Sequence, residues 1–181
     1  MNVHIETENL ILRDVEEHDA EGIFLLDSDP DVHEFLGKNP IKTIHEAQQA
    51  VDYIRNQYNE NGIGRWAIED KITGDFIGWT GLKYEREVRK DFNYYDLGYR
   101  LRKKYWGKGI ATKTAIESLK YGFEILDVKE IGGAADVNHV VSNKILSKVG
   151  LKFIEVFDLD ETPHNWYNLK KSEWLEFQNQ A

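Results

Sequence analysis

The residues from Leu97 to Thr114, LGYRLRKKYWGKGIATKT, place six basic side chains and no acidic one in a chain whose formal net charge is −9. Within them, Gly107 and Gly109 stand where an apolar strand gives way to a helix. Glycines at such a turn let the backbone approach a ligand without Cβ obstruction. A helix N-terminus adds unpaired N–H groups and about half a positive charge. Together they form a cradle suited to phosphate or pyrophosphate, with Lys104 and Lys108 flanking it as point charges. A solvated charge run is the plainer reading of such a cluster, and the paired glycines argue against it. The acidity of the whole chain disfavours general nucleic-acid binding, which needs a broad basic face. It suits a cationic partner and leaves the basic island as a pocket for one small polyanion.

Phosphate-binding motifs differ in spacing. A Walker A loop needs G-x-x-x-x-G-K-[ST], and here Lys108 is followed by Gly109. GKGIAT offers the G-x-G of a dinucleotide fingerprint, but Thr112 occupies the third glycine position. The N-terminal half also lacks the repeated strand–helix–strand units of that fold.

The elements that must position this turn follow from periodicity. NLILRDV reads as a strand and EEHDAEGIFLLDSD as a short helix. Thr43 and Glu46 form a capping box ahead of Ile44, Ala47, Val51, Ile54 and Tyr58 at helical spacing. GRWAIED and DFIGWTGL flank KITG as a hairpin, KYEREVRKDFN reads as a loop or long hairpin tip, and YYDLGYRL is a strand. Past the glycines, Ile116, Leu119, Phe123 and Leu126 make one helical stripe. EIGGAADV reads as a buried strand, its paired glycines suggesting a bulge or a close backbone approach. Asn138 is placed to cap a helix that ends at Gly150 with a Schellman-type contact from Leu151. LKFIEVF and NWYNLKKSEW finish as strands. One α/β domain over residues 1–181 results, with a mostly antiparallel sheet and one parallel crossover.

Composition agrees with a globular chain: 41% hydrophobic and 12% aromatic residues over 181 positions. No apolar run approaches the roughly 20 residues of a membrane span, and MNVHIETENLIL lacks the pattern of a signal peptide. The chain has no cysteine, which removes disulfides and thiol nucleophiles. A cytoplasmic protein is expected. His4, His18, His33, His45, His139 and His164 show no metal-binding spacing, so no catalytic metal is expected.

LGYRLRKKYWGKGIATKT resembles the acetyl-CoA loop of the GNAT superfamily of N-acetyltransferases, with its pattern [QR]-x-x-G-x-[GA] between a strand and a long helix. Lys104 stands at the Gln/Arg position. YWGKGIAT, DVNHVVSNKILSKVGLKF and the opening ETENLILRDVEEHDA are similar in particular to the ribosomal-protein N-terminal acetyltransferase branch. The resemblance implies a mixed sheet of about six to seven strands flanked by helices, with a central parallel pair that splays. It implies acetyl-CoA as cofactor, with its pyrophosphate on the turn from Trp106 through Gly107, Lys108, Gly109, Ile110 and Ala111 to Thr112. The pantetheine arm would run beside Leu101 and Arg102 and meet Asn138 or His139, with Asn143 also on the cofactor side. The acceptor amine would enter past the first helices and the Lys83–Asn93 loop.

Two residues are candidates for proton transfer. Asp96 stands where the branch commonly has Glu and could take the amine proton; a plain surface carboxylate is the alternative. Ser142 matches the serine of the branch's N-x-x-S pattern and could protonate the sulfur, or simply cap its helix. Leu146 replaces the tyrosine acid of many GNAT enzymes, and His139 replaces the asparagine of N-x-x-S. Trp66, Trp79, Tyr84, Tyr94, Tyr95 and Tyr99 could line an acceptor pocket or serve as packing. The expected reaction is direct acetyl transfer to a protein N-terminal α-amine, including that of a ribosomal protein, or to a small cationic amine. A CoA-binding module without transfer activity is the alternative, and a homodimer is expected by resemblance alone.

Overall fold

The computed structural model describes residues 2–180. Two short strands, β1 (Val3–Glu6) and β2 (Leu10–Asp14), lead into helix α1 (Ala20–Asp27) and helix α2 (Ile44–Asn61). The hairpin β3 (Trp66–Asp70) and β4 (Phe76–Glu85) follows, then β5 (Tyr94–Leu101) and α3 (Ile110–Lys120). β6 (Glu130–Asp136), α4 (Val140–Lys148), β7 (Lys152–Leu159), β8 (Thr162–Lys170) and α5 (Lys171–Gln180) complete the chain. All strands join one sheet of eight in the order β1-β2-β3-β4-β5-β6-β8-β7. Neighbours are antiparallel except β5 and β6, which are parallel.

This exceeds the expected six to seven strands. The N-terminal HIE is too polar to announce a strand, yet it pairs with β2. At the other end the run NWYNLKKSEW divides, with KSEW opening α5 rather than extending β8. Trp174 explains the division, since its indole is fully buried and stacks on Phe123.

Local signals fix the remaining elements. Thr43 and Glu46 make the reciprocal capping bonds of α2, and Gly62 ends that helix at φ +69°. Leu151 N–H reaches Leu146 O and Gly150 N–H reaches Ser147 O, the paired bonds of a Schellman end to α4. His139, not Asn138, occupies the position before α4, and Asn138 instead donates its N–H to the Asp136 carboxylate. Gly132 and Gly133 lie in a continuous ladder with β8, without a bulge. A Cβ at Gly132 would come within 2.1 Å of the Trp166 ring, so close approach explains that glycine.

The sheet separates two cores. On one face α3 and α4 bury Leu82, Leu97, Leu119, Phe123 and Ile131; on the other α1 and α2 bury Ile23, Leu26, Val51 and Phe76. Alternation along β5 therefore sends Leu97 and Tyr99 toward α3 and α4, and Asp96, Gly98 and Arg100 toward α1 and α2. Between β5 and β6 the parallel pairing is confined to Asp96 opposite Gly132. Beyond it β5 stays with β4 and β6 with β8, so the sheet parts.

Candidate active site

Gly107 and Gly109 adopt φ +73° and +74°, a region that other residues enter with strain. A Cβ built on either meets no atom within 4 Å, so the turn is open toward solvent. Lys113 makes the first backbone bond back to Gly109, and the amides of Ile110, Ala111 and Thr112 stand at the exposed end of α3. Trp106 lies half-exposed beside the turn and donates its indole N–H to Leu101 O at 2.8 Å.

The basic island divides into two kinds of charge. Arg100 pairs with Asp27 at 2.8 Å, Lys103 with Asp31, and Lys104 with Asp75 at 2.5 Å, while Arg102 donates to Phe76 O. Lys108 and Lys113 have no acidic partner among the described residues. The flanking role expected of Lys104 is thus modified, since its ammonium is held by Asp75, which Tyr105 also contacts at 2.7 Å. Open glycines, helix amides and two unpaired lysines fit a pyrophosphate.

Near the parting of the sheet, Tyr99 O–H lies 3.1 Å from both the carbonyl and the hydroxyl of Ser142. Burial pushes the Tyr99 phenol up, so it keeps its proton. His139 stacks on Phe35 at 4.6 Å between ring centroids, and burial pushes its imidazole down. Asn143 donates to Asp136 O and His139 O and accepts from Asn165 and Tyr167. Three of those bonds anchor α4 to β6 and β8 and the fourth closes its first turn, an internal role that the expectation of a cofactor contact did not include. Leu101 packs with Leu10, Leu12 and Tyr105, and Arg102 is tied to β4.

On the opposite face of β5, Asp96 pairs with Arg65, whose guanidinium also donates to the carbonyls of Gly81 and Asp96. Gly98 makes this possible, because a Cβ there would meet the guanidinium at 2.5 Å. Burial raises the Asp96 pKa, against the opposing pull of Arg65 and Lys83. The carboxylate is therefore neither free nor a surface group.

Beside this pair lies a cavity of about 240 Å³ between α1, α2 and the sheet, lined in part by Asp27, Tyr53, Gln57, Arg65, Trp79, Lys83 and Arg100. Of the aromatics considered from sequence, Trp79 alone lines it; Trp66 is buried in the core with Leu12 and Ile68. Sequence reasoning missed Arg65, Gln57, Tyr53 and Asp27. For α2 a signal exists: Ala50, Tyr53, Ile54 and Gln57, all on the cavity, follow the i, i+3, i+4, i+7 spacing of one helix face.

Comparisons with known proteins speak to the family and the fold. YoaA, an uncharacterized N-acetyltransferase of Bacillus subtilis (strain 168), is 28% identical over 148 residues, which is 82% of each chain. Spermidine N-acetyltransferase from Vibrio cholerae, solved in complex with CoA and spermine, superposes with TM-score 0.74 at 18% identity, covering 93% of this chain and 99% of that one. Ribosomal-protein-S5-alanine acetyltransferase from Vibrio fischeri does so with TM-score 0.75 at 18% identity, covering 94% and 97%. At such identities the two structures speak for the fold, and they single out no branch. The model of the Acetyltransferase (GNAT) domain matches residues 9–152. The chain belongs to the GNAT family of acetyl-CoA-dependent N-acetyltransferases.

Proposed function

We propose that the enzyme acetylates an α-amine, of a small molecule or of a polypeptide N-terminus, by direct attack across the gap between β5 and β6. One observation carries this reading. The anion cradle at α3 and the cavity beneath α2 lie on opposite sides of β5, next to the place where β6 parts from it after Asp96. A thioester held from one side and an amine from the other would meet there. The sequence resemblance to the ribosomal-protein branch also favours an α-amine. A polyamine, suggested by the acidic exterior, is disfavoured by the cavity itself, whose wall carries Arg65, Lys83 and Arg100.

Bound acetyl-CoA supplies an acetyl thioester, whose C–S bond breaks as the amine N–C bond forms. In this reading the turn from Trp106 to Thr112, with Lys108, holds the pyrophosphate, while Asn138 and His139 stand at the cofactor side of α4. Asp96, positioned by Arg65, accepts the proton that the ammonium must lose. Ser142, hydrogen-bonded to Tyr99, returns a proton to the departing sulfur. Positioning alone reaches effective molarities of roughly 10⁵–10⁸ M, and each acid–base group adds roughly 10²–10⁴-fold.

The test is CoA thiol release over a panel of α-amines, lysine-type amines and polyamines. Acceptor-dependent release that favours α-amines is expected. CoA binding without release for any amine would instead identify a binding module that lacks transfer activity.

A further inference from the structure

We infer that the acceptor carries a carboxylate close to its amine, an amino-acid-class substrate whose carboxylate binds Arg100 and Lys83; this rests on the proposed function. The cavity wall presents Arg65, Lys83 and Arg100 but only one carboxylate, Asp27. Two further acids lie close by without lining the cavity: Glu85 is buried and pairs with Lys83 at 2.5 Å, and Asp96 pairs with Arg65. An acceptor entering from solvent therefore meets cations first.

The three cations are not equally engaged. Arg65 is held by two carbonyls and a carboxylate. Arg100 gives a single N–H to Asp27, with its guanidinium carbon 5.0 Å from the centre of the Trp79 ring. Its remaining donors have no hydrogen-bond partner among the described residues. A planar fork held over an aromatic ring and tied by one bond is preorganised for bidentate carboxylate binding. Lys83 adds a point charge, its ammonium 5.8 Å from the centre of the Tyr53 ring.

A second feature points to a ligand independently. Gln57 is 6% exposed, lines this cavity, and its Oε1 has no hydrogen-bond partner among the described residues. A buried, unpartnered amide oxygen is costly unless a donor reaches it. An acceptor N–H would satisfy Gln57 while the carboxylate of the same molecule satisfies Arg100. The cavity's volume of about 240 Å³ suits a small molecule of this kind.

The test compares kcat/KM for free amino acids, their amides and their decarboxylated amines. Each amino acid should exceed its amide by about 10- to 100-fold, the range of a charge-assisted hydrogen bond. The double variant Asp27→Asn/Arg100→Gln, which leaves no buried carboxylate unpaired, should shrink that ratio to within about threefold. Amides or decarboxylated amines that match the amino acids, or a ratio unmoved in the double variant, would overturn the inference while leaving the acetyltransferase reading intact. If no amine is turned over, the proposed function falls, and calorimetry on CoA-loaded protein decides this inference alone. Amino acids binding about tenfold more tightly than their amides would support it; equal or absent binding would sink it.

Discussion

Asp96 lies between two opposing influences. Burial favours its neutral form, whereas Arg65 and Lys83 favour the carboxylate, and burial is the larger. Its folded pKa therefore exceeds the ordinary 3.8, so the fold binds this proton more tightly than the unfolded chain does. The sign for stability follows: the contribution is fully present below the unfolded value and is lost as pH rises through the folded one. For the proposed proton transfer the direction is reversed, because the proton-accepting form gains population only as pH climbs through the raised pKa. Turnover should thus fall at low pH with an apparent pKa above 3.8. Asp96→Asn should lower kcat/KM by about 10²-fold or more and flatten that acidic limb. The amine gives a separate limb that moves with the acceptor's own pKa. Arg65 keeps the Gly81 and Asp96 carbonyls in the variant, so the guanidinium is not orphaned. An unchanged acidic limb in pH–rate profiles would assign it to another group.

At the scale of elements, the glycine turn ahead of α3 was legible in the sequence because its signal is local. Gly107 and Gly109 sit at positive φ, and glycine is the residue that enters that region without strain. The α2 capping box and the end of α4 were legible for the same reason, each being complete within a few residues. The partners of the basic island were not, since Asp27, Asp31 and Asp75 reach Arg100, Lys103 and Lys104 from 29 to 73 positions away. Nor was the Arg65–Asp96 pair, which depends on a missing Cβ at Gly98 on β5, two strands from the start of β3 where Arg65 lies. This division of charge has a measurable consequence. Lys108→Ala should weaken CoA binding by roughly three- to tenfold, and less at high salt, because that ammonium has no acidic partner among the described residues and rests only over the Tyr105 ring. Lys104→Ala should change it by less than about twofold, since Asp75 already holds the charge. Equal effects in titration calorimetry would mean that Lys104 leaves Asp75 for the phosphate.

For the whole molecule, the eight-stranded sheet is two antiparallel blocks, β1 to β5 and β6 to β8, joined by one short parallel contact. The continuous β4–β5 and β6–β8 ladders on either side contrast with the single register pair, Asp96 opposite Gly132, between the blocks. Side chains also span the junction: Leu97 and Leu82 pack with Ile131 and Leu146 beneath α3, Tyr94 meets Trp166 edge-on, Arg89 pairs with Glu155 and Tyr99 bonds to Ser142. A cofactor lodged in the parting would add contacts to both blocks at once, whereas one bound only at the α3 turn would touch the first block alone. Ligand binding stabilises the folded state by about 2.7 kcal/mol at a hundredfold excess over Kd. That corresponds to a rise of roughly 5–10 °C in Tm for a domain of this size. The magnitude is the same for either mode of binding, but the distribution is not. Hydrogen exchange should slow in Leu97–Leu101 of β5, in Gly133–Asp136 of β6 and in the first turn of α4, as well as at residues 107–112. Protection confined to residues 107–112 would place the cofactor outside the parting. The direct-attack geometry, which needs the thioester between β5 and β6, would then be wrong even if the anion cradle is right.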